Sequence, residues 1–183
     1  LNKFALIRNS RDTDNPNVCG MALRAIQAGV HGITVHPRPD QRHTRYSDVE
    51  DLSRLTGSHP DVEFNVEGNP GADFLEIVGR TRPDQCTLVP DAPDQLTSDH
   101  GWDLDQDAEK AKPVVKQLQD LGIRVSLFMD PVAEQIDIAR SIGADRVELY
   151  TEPYARAFGT DAEDEVWGRF ETAASHATSI GLG

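Results

Sequence analysis

The segment Gly32-Ile-Thr-Val-His-Pro-Arg-Pro-Asp-Gln-Arg-His43 places two histidines and two arginines directly after a short β-branched run. His36 can move a proton near neutral pH. Arg38 and Arg42 carry forked donors suited to phosphate or carboxylate. Pro37 and Pro39 end the strand and hold the following residues extended. A buried strand that stops in such groups is how an α/β enzyme presents chemistry at the carboxyl edge of its sheet. The plain alternative is a polar loop that solvates a strand end. Glu67 ends the apolar run Phe64-Asn-Val66, where lost solvation would raise its pKa toward a range useful for proton transfer. The other reading is a rim carboxylate paired to arginine. Glu148, between Val147 and Leu149, poses the same choice between a site group and a structural ion pair. Arg8 and Arg11 follow a third apolar run, Phe4-Ala-Leu-Ile7, and with Arg38 would make a cationic floor for an anion. Thr97 and Ser98 lie in a loop, 91–103, too long for a plain connector. A metal held by His36, His43, Glu67 and Glu148 is conceivable, but His-x6-His is no standard ligand spacing, and no metal is expected. His31, His59 and His176 read as surface or structural histidines, and His100 is open.

The elements that must position these groups alternate along the chain. Strands are expected at 4–7, 32–36, 62–67, 85–89, 124–129 and 146–150. Helices are expected at about 18–28, 47–55, 71–80, 105–121, 132–142 and 162–180. Asn17 is a plausible N-cap, and glycines such as Gly29, Gly57, Gly122 and Gly143 close the helices. Residues 28–35 and 142–149 look like the same joint of helix end, tight turn and strand. Six β-then-α units predict a parallel sheet with right-handed crossovers. An open doubly wound sheet competes with a (β/α)8 TIM barrel. Arg8-Asn9-Ser10-Arg11 stands where a dinucleotide fold would need Gly-x-Gly-x-x-Gly. Chemistry offered after nearly every strand is the barrel's habit, and such a barrel runs to about 250 residues. The 183 residues are therefore expected to form one barrel domain, 1–183, short of about two units at its C-terminal end.

The formal net charge is −13 and the pI is about 4.7. That surface disfavours nucleic acid and anionic membrane, while a local arginine cluster can still hold a small anion. No apolar run approaches the length of a membrane span. Cys19 and Cys86 lack metal or redox spacing and read as small buried hydrophobes. A reducing cytoplasm is the expected setting.

The segment 32–43, Arg8-Asn9-Ser10-Arg11, Phe64-Asn-Val-Glu67-Gly, Thr87-Leu-Val-Pro90 and Arg146-Val-Glu-Leu-Tyr-Thr-Glu-Pro-Tyr154 resemble the pyridoxine 5′-phosphate synthases in order and spacing. The resemblance runs along essentially the whole chain. It implies a (β/α)8 barrel with extra helices that assembles as a homo-oligomer, in the family an octamer built from dimers. It implies condensation of 1-deoxy-D-xylulose 5-phosphate with 3-amino-2-oxopropyl phosphate to pyridoxine 5′-phosphate, phosphate and water. By position, His36 and Glu67 match the family's first and second acid–base residues, and Glu148 matches a glutamate that assists the transition state. Arg38, His43 and Thr97 match contacts to the deoxyxylulose phosphate, and Arg11 a contact to the amino ketone phosphate. Asn2-Lys3 stands where many members carry Asp-His with a sugar-phosphate role, and a lysine there suits a phosphate. The resemblance also implies a third catalytic histidine in an Asn-Ala-Gly-His segment on a seventh strand, and phosphate-binding glycines at strands seven and eight. Residues 1–183 alone are therefore expected not to turn over. The chemistry fits independently: two dehydrations and phosphate loss need repeated proton shuttling, and no cofactor.

Two other readings stay open. One is another phosphosugar barrel aldolase or isomerase; a Schiff-base enzyme needs a buried lysine, and of Lys3, Lys110, Lys112 and Lys116 only Lys3 is placed to serve. The other is a non-catalytic protein that binds a phosphorylated ligand.

Overall fold

The computed structural model describes residues 1–11, 13–92 and 94–183. The strands are β1 (Gly32–Val35), β2 (Glu63–Gly68), β3 (Gln85–Leu88), β4 (Arg124–Met129) and β5 (Arg146–Leu149). They form a parallel sheet in the order β1-β2-β3-β4-β5, so spatial order follows chain order. The helices are α1 (Asn2–Ser10), α2 (Val18–Gln27), α3 (Tyr46–Gly57), α4 (Ala72–Thr81), α5 (Leu104–Asp120), α6 (Ala133–Ser141), α7 (Glu152–Ala157) and α8 (Glu163–Ser179). The class is α/β. The chain divides into two compact units, residues 1–87 with 121–123 and residues 88–120 with 124–183.

In the first unit β1 and β2 run parallel, with Ile33 opposite Phe64 and Val35 opposite Val66. Strand alternation sends Ile33, Val35, Phe64 and Val66 into a core with Val49 and Leu52 of α3 and Phe74, Ile77 and Val78 of α4. The same alternation leaves Thr34, Asn65 and Glu67 on the opposite face. Asn17 caps α2, its Oδ1 accepting from Gly20 N at 2.7 Å, and Gly29 ends that helix with φ 91°. Helix α4 is closed by Arg82 at φ 44°, a left-handed position filled without glycine.

In the second unit Phe128 stands opposite Glu148 and Met129 opposite Leu149. Val125, Leu127 and Met129 are buried, as are Val115 and Leu118 of α5, Ile136 and Ala139 of α6, and Phe170 and Ala173 of α8. The loop 91–103 is pinned by Trp102, whose Nε1 donates to Leu88 O and whose N donates to Phe128 O, each at 2.9 Å. Gly183 extends the ladder beside β5, donating to Asp145 O and accepting from Val147 N, each at 3.1 Å.

The joint expected at 28–35 and 142–149 is present in both places: α2 gives way through Gly29 (φ 91°) to β1, and α6 through Gly143 (φ 97°) to β5. The Asp84 carboxylate, in the turn before β3, accepts from Phe64 N at 2.7 Å, and the Asp145 carboxylate, before β5, accepts from Val125 N at 2.8 Å. Each satisfies an N–H near the start of the preceding strand. Two expectations need correction. Phe4–Ile7 is not a strand but the middle of α1. Five strands are therefore present among the described residues where six were expected. Four apolar residues cannot separate helix from strand, and here Phe4, Leu6 and Ile7 are exposed while Ala5 and Arg8 face inward. The loop expected to run through Gly159 holds a short helix, α7, with proline in its first turn.

Candidate active site

His36 follows β1 immediately, and Glu67 lies in the last turn of the β2 ladder. Because Val35 pairs with Val66, the next residues of both strands come level at the carboxyl edge. His36 Nδ1 lies 4.0 Å from Glu67 Oε2. That exceeds a direct hydrogen bond, and one oxygen about 2.8 Å from each would fit between them. His36 is 8% exposed. Its burial, and then the charges of Arg38, His43 and Arg42, hold its pKa down at about 3. The imidazole is therefore neutral at physiological pH and able to take a proton. His43 packs edge-on to it, ring centroids 6.2 Å apart. Its pKa is also lowered, by burial and then by Arg38 and Arg42. Thr44 N donates to His43 Nδ1 at 2.8 Å, which fixes the remaining ring proton on Nε2.

Behind Glu67 runs a row of polar side chains. Asn65 Nδ2 is 3.5 Å from Glu67 Oε1 and 3.4 Å from Thr34 Oγ1, and Asn65 Oδ1 accepts from Thr87 Oγ1 at 3.1 Å. Cys86, on the other face of β3, is fully buried, and burial pushes its thiol up. Arg38 is buried in this unit, as is Arg8, and its charge acts on His36.

Of the other residues singled out in the sequence, three lie on or just after α1 and two in the second unit. Arg11 is the exposed residue after α1, and Lys3 lies exposed on that helix. Asn2 is partly buried, and its Oδ1 accepts from His36 N at 2.8 Å and from Thr44 Oγ1 at 3.0 Å. Thr97 and Glu148 belong to the second unit. Thr97 is an exposed loop residue whose carbonyl accepts from Gln95 Nε2 at 2.9 Å, and Glu148 is half-buried in β5. His59 Nδ1 donates to Leu55 O at 2.8 Å, and His176 Nε2 pairs with Asp137 at 2.7 Å. His100 pairs with Asp99 on the surface. The sequence reading missed Asp48, Asn9 and Thr44, which hold the 36–45 segment. The signal available was the helical spacing of Asn2, Ala5, Arg8 and Asn9.

The family model described as pyridoxal phosphate biosynthesis protein PdxJ matches residues 1–183. The chain belongs to this family. It is 47% identical over 188 residues to a pyridoxine 5′-phosphate synthase from Albidiferax ferrireducens, and 48% identical over 184 residues to one from Brucella abortus. Both comparisons cover 100% of this chain and 75% of the relative. A synthase of the same name from Xanthomonas axonopodis pv. citri is 49% identical over 190 residues, covering 100% of this chain and 74% of its own. Among solved structures, the PaMucR phosphodiesterase in complex with c-di-GMP superposes with a TM-score of 0.51 at 11% identity. That match covers 93% of this chain and 65% of the other and bears on the fold alone. In this PdxJ-family chain no helix among the described residues is long and apolar enough to cross a membrane.

Proposed function

We propose that this PdxJ-family chain is a pyridoxine 5′-phosphate synthase, joining 1-deoxy-D-xylulose 5-phosphate to 3-amino-2-oxopropyl phosphate. The observation that carries the chemistry is the buried, neutral imidazole of His36 set 4.0 Å from the Glu67 carboxylate. A substrate hydroxyl or water between them would pass its proton to one and receive one from the other, as repeated dehydration requires. His36, unprotonated at neutral pH, acts as base first, and the Glu67 carboxylate 4.0 Å away offsets the burial that disfavours the imidazolium it forms. Glu148 assists the transition state by its place in the family resemblance. Arg38, with His43, takes the deoxyxylulose phosphate; Arg11, Thr97, Asn2 and Lys3 complete the substrate contacts. No cofactor or metal takes part in this reading.

The parallel sheet in chain order supports a (β/α)8 barrel domain of which residues 1–183 form part. Bonds on the outer sides of β1 and β5 fit it: Leu1 N donates to Thr34 O at 2.8 Å, and Gly183 pairs with β5. Homo-oligomerisation, an octamer in the family, accords with the exposed Phe4, Leu6 and Ile7 of α1. A cytoplasmic setting accords with two free cysteines.

The test is substitution in the intact protein. His36→Asn and Glu67→Gln are each expected to cut product formation by about 10²–10⁴-fold, while a phosphorylated substrate still binds in calorimetry. Wild-type rates in both variants would remove the assigned roles.

A further inference from the structure

The segment 36–45 carries the histidines and arginines of the site, yet it belongs to no strand or helix. Its backbone is instead held from α1. Asn9 Nδ2 donates to three successive carbonyls, Gln41 O at 3.2 Å, Arg42 O at 3.1 Å and His43 O at 2.8 Å. Arg8 forks onto Asp48 at 2.5 and 2.8 Å, and its NH2 also reaches His43 O at 3.2 Å. Asp48 in turn accepts from Arg45 N at 2.8 Å. Asn2 Oδ1 joins His36 N to the Thr44 hydroxyl. Arg8, Asp48 and Thr44 are all buried. The bonds from Asn9, from Arg8 to His43 O, from Arg45 N to Asp48 and from His36 N to Asn2 involve main-chain groups, so they set the path of the segment whatever its side chains contact; the Arg8–Asp48 fork and the Thr44 hydroxyl brace them side chain to side chain.

We propose that Asn2, Arg8, Asn9 and Asp48 are positioning residues that hold His36 and His43 in register for proton transfer. This role rests on the acid–base reading of His36. Asn2 then acts by holding the backbone of residue 36 and the side-chain hydroxyl of Thr44, with its amide oxygen already engaged by the protein. The bonds at residues 41–43 fix the corner of the segment, and those at 36 and 44 fix its two ends. Loss of the corner would let the segment swing away from α1 and admit water to His36. The groups facing that imidazole are the Glu67 carboxylate, the guanidinium groups of Arg38 and Arg42 and the His43 ring.

The experiment compares Asn9→Ala and Arg8→Lys with a remote control, Asn17→Ala, in the intact protein. Histidine side-chain NMR is followed through a pH titration, with thermal unfolding and steady-state rates alongside. Asn17 caps α2 and touches none of the segment's groups, so its variant reports destabilisation alone. In Asn9→Ala the His36 midpoint is expected to rise from about 3 toward 6.5, and His43 to lose its single Nε2–H form. Rates should fall on the order of 10²-fold, as for an ångström-scale misplacement. Arg8→Lys keeps the charge that Asp48 needs but loses the fork, so it should shift both signals the same way and less. Asn17→Ala should lower the melting temperature and leave both signals in place. A wild-type His36 midpoint and His43 tautomer in both Asn9→Ala and Arg8→Lys would overturn the brace. That result would leave the acid–base reading standing, because His36→Asn tests it separately.

Discussion

A histidine kept neutral by burial stores a pH dependence in the native state. His36 titrates at about 3 in the folded chain against an ordinary 6.5. Between those values the unfolded chain binds a proton that the native state does not. Stability is therefore complete above about pH 6.5 and falls as the pH drops toward 3, at about 1.4 kcal/mol per pH unit where one proton separates the states. His43, whose pKa is also lowered, pulls in the same direction. Urea unfolding at a series of pH values should show this slope, and His36→Asn should flatten it; an unchanged slope in the variant would place the acid sensitivity elsewhere. At this scale the sequence was informative about residue types. His36 and Glu67 were legible because each ends an apolar run. Asp48 was not, because a carboxylate in the first turn of a helix is ordinary, and only the buried Arg8 opposite it reveals its use.

At the scale of elements, β1 to β5 were legible from apolar runs punctuated by Gly, Pro and Asp. The exception, Phe4–Ile7, shows the limit. Its inward stripe is Asn2, Ala5, Arg8 and Asn9, so the buried face of α1 is polar and the exposed face apolar, the reverse of the usual surface helix. A pattern search for buried hydrophobes reads such a helix as something else. Close approaches were equally hidden. At Gly101 an added Cβ would stand 2.1 Å from Asp130 N and 2.5 Å from Met129 Cα, both main-chain atoms. Gly101→Ala is expected to cost about 1–3 kcal/mol by forcing the loop off the end of β4. Gly57, in α3, has nothing within 4 Å of its would-be Cβ, and Gly57→Ala should stabilise by about 0.4–1 kcal/mol through the unfolded chain. Chemical denaturation of the pair gives the contrast, and equal effects would show that the crowding at Gly101 relaxes freely.

For the whole molecule, the net charge of −13 opposes the local cations of the site. Self-repulsion among the surface carboxylates weakens the folded state, and salt screens it. The arginines that would hold a phosphate are screened by the same ions. Raising sodium chloride from about 0.05 to about 0.5 M is therefore expected to raise the melting temperature and to weaken binding of a phosphorylated ligand. Calorimetry of both processes checks the opposed signs; an affinity indifferent to salt would place the phosphate away from the arginines. The acidic balance was plain in the sequence, whereas the burial of Arg38 within it was not.

The run of strands in the order β1-β2-β3-β4-β5 bears on how the chain can be made. Each new strand finds its neighbour already synthesised, so pairing never waits for a segment still inside the ribosome. Chain entropy is lost in short steps, one crossover at a time. Ordered growth also means that each advancing edge is covered by the next strand to emerge, which shortens its exposure to wrong partners.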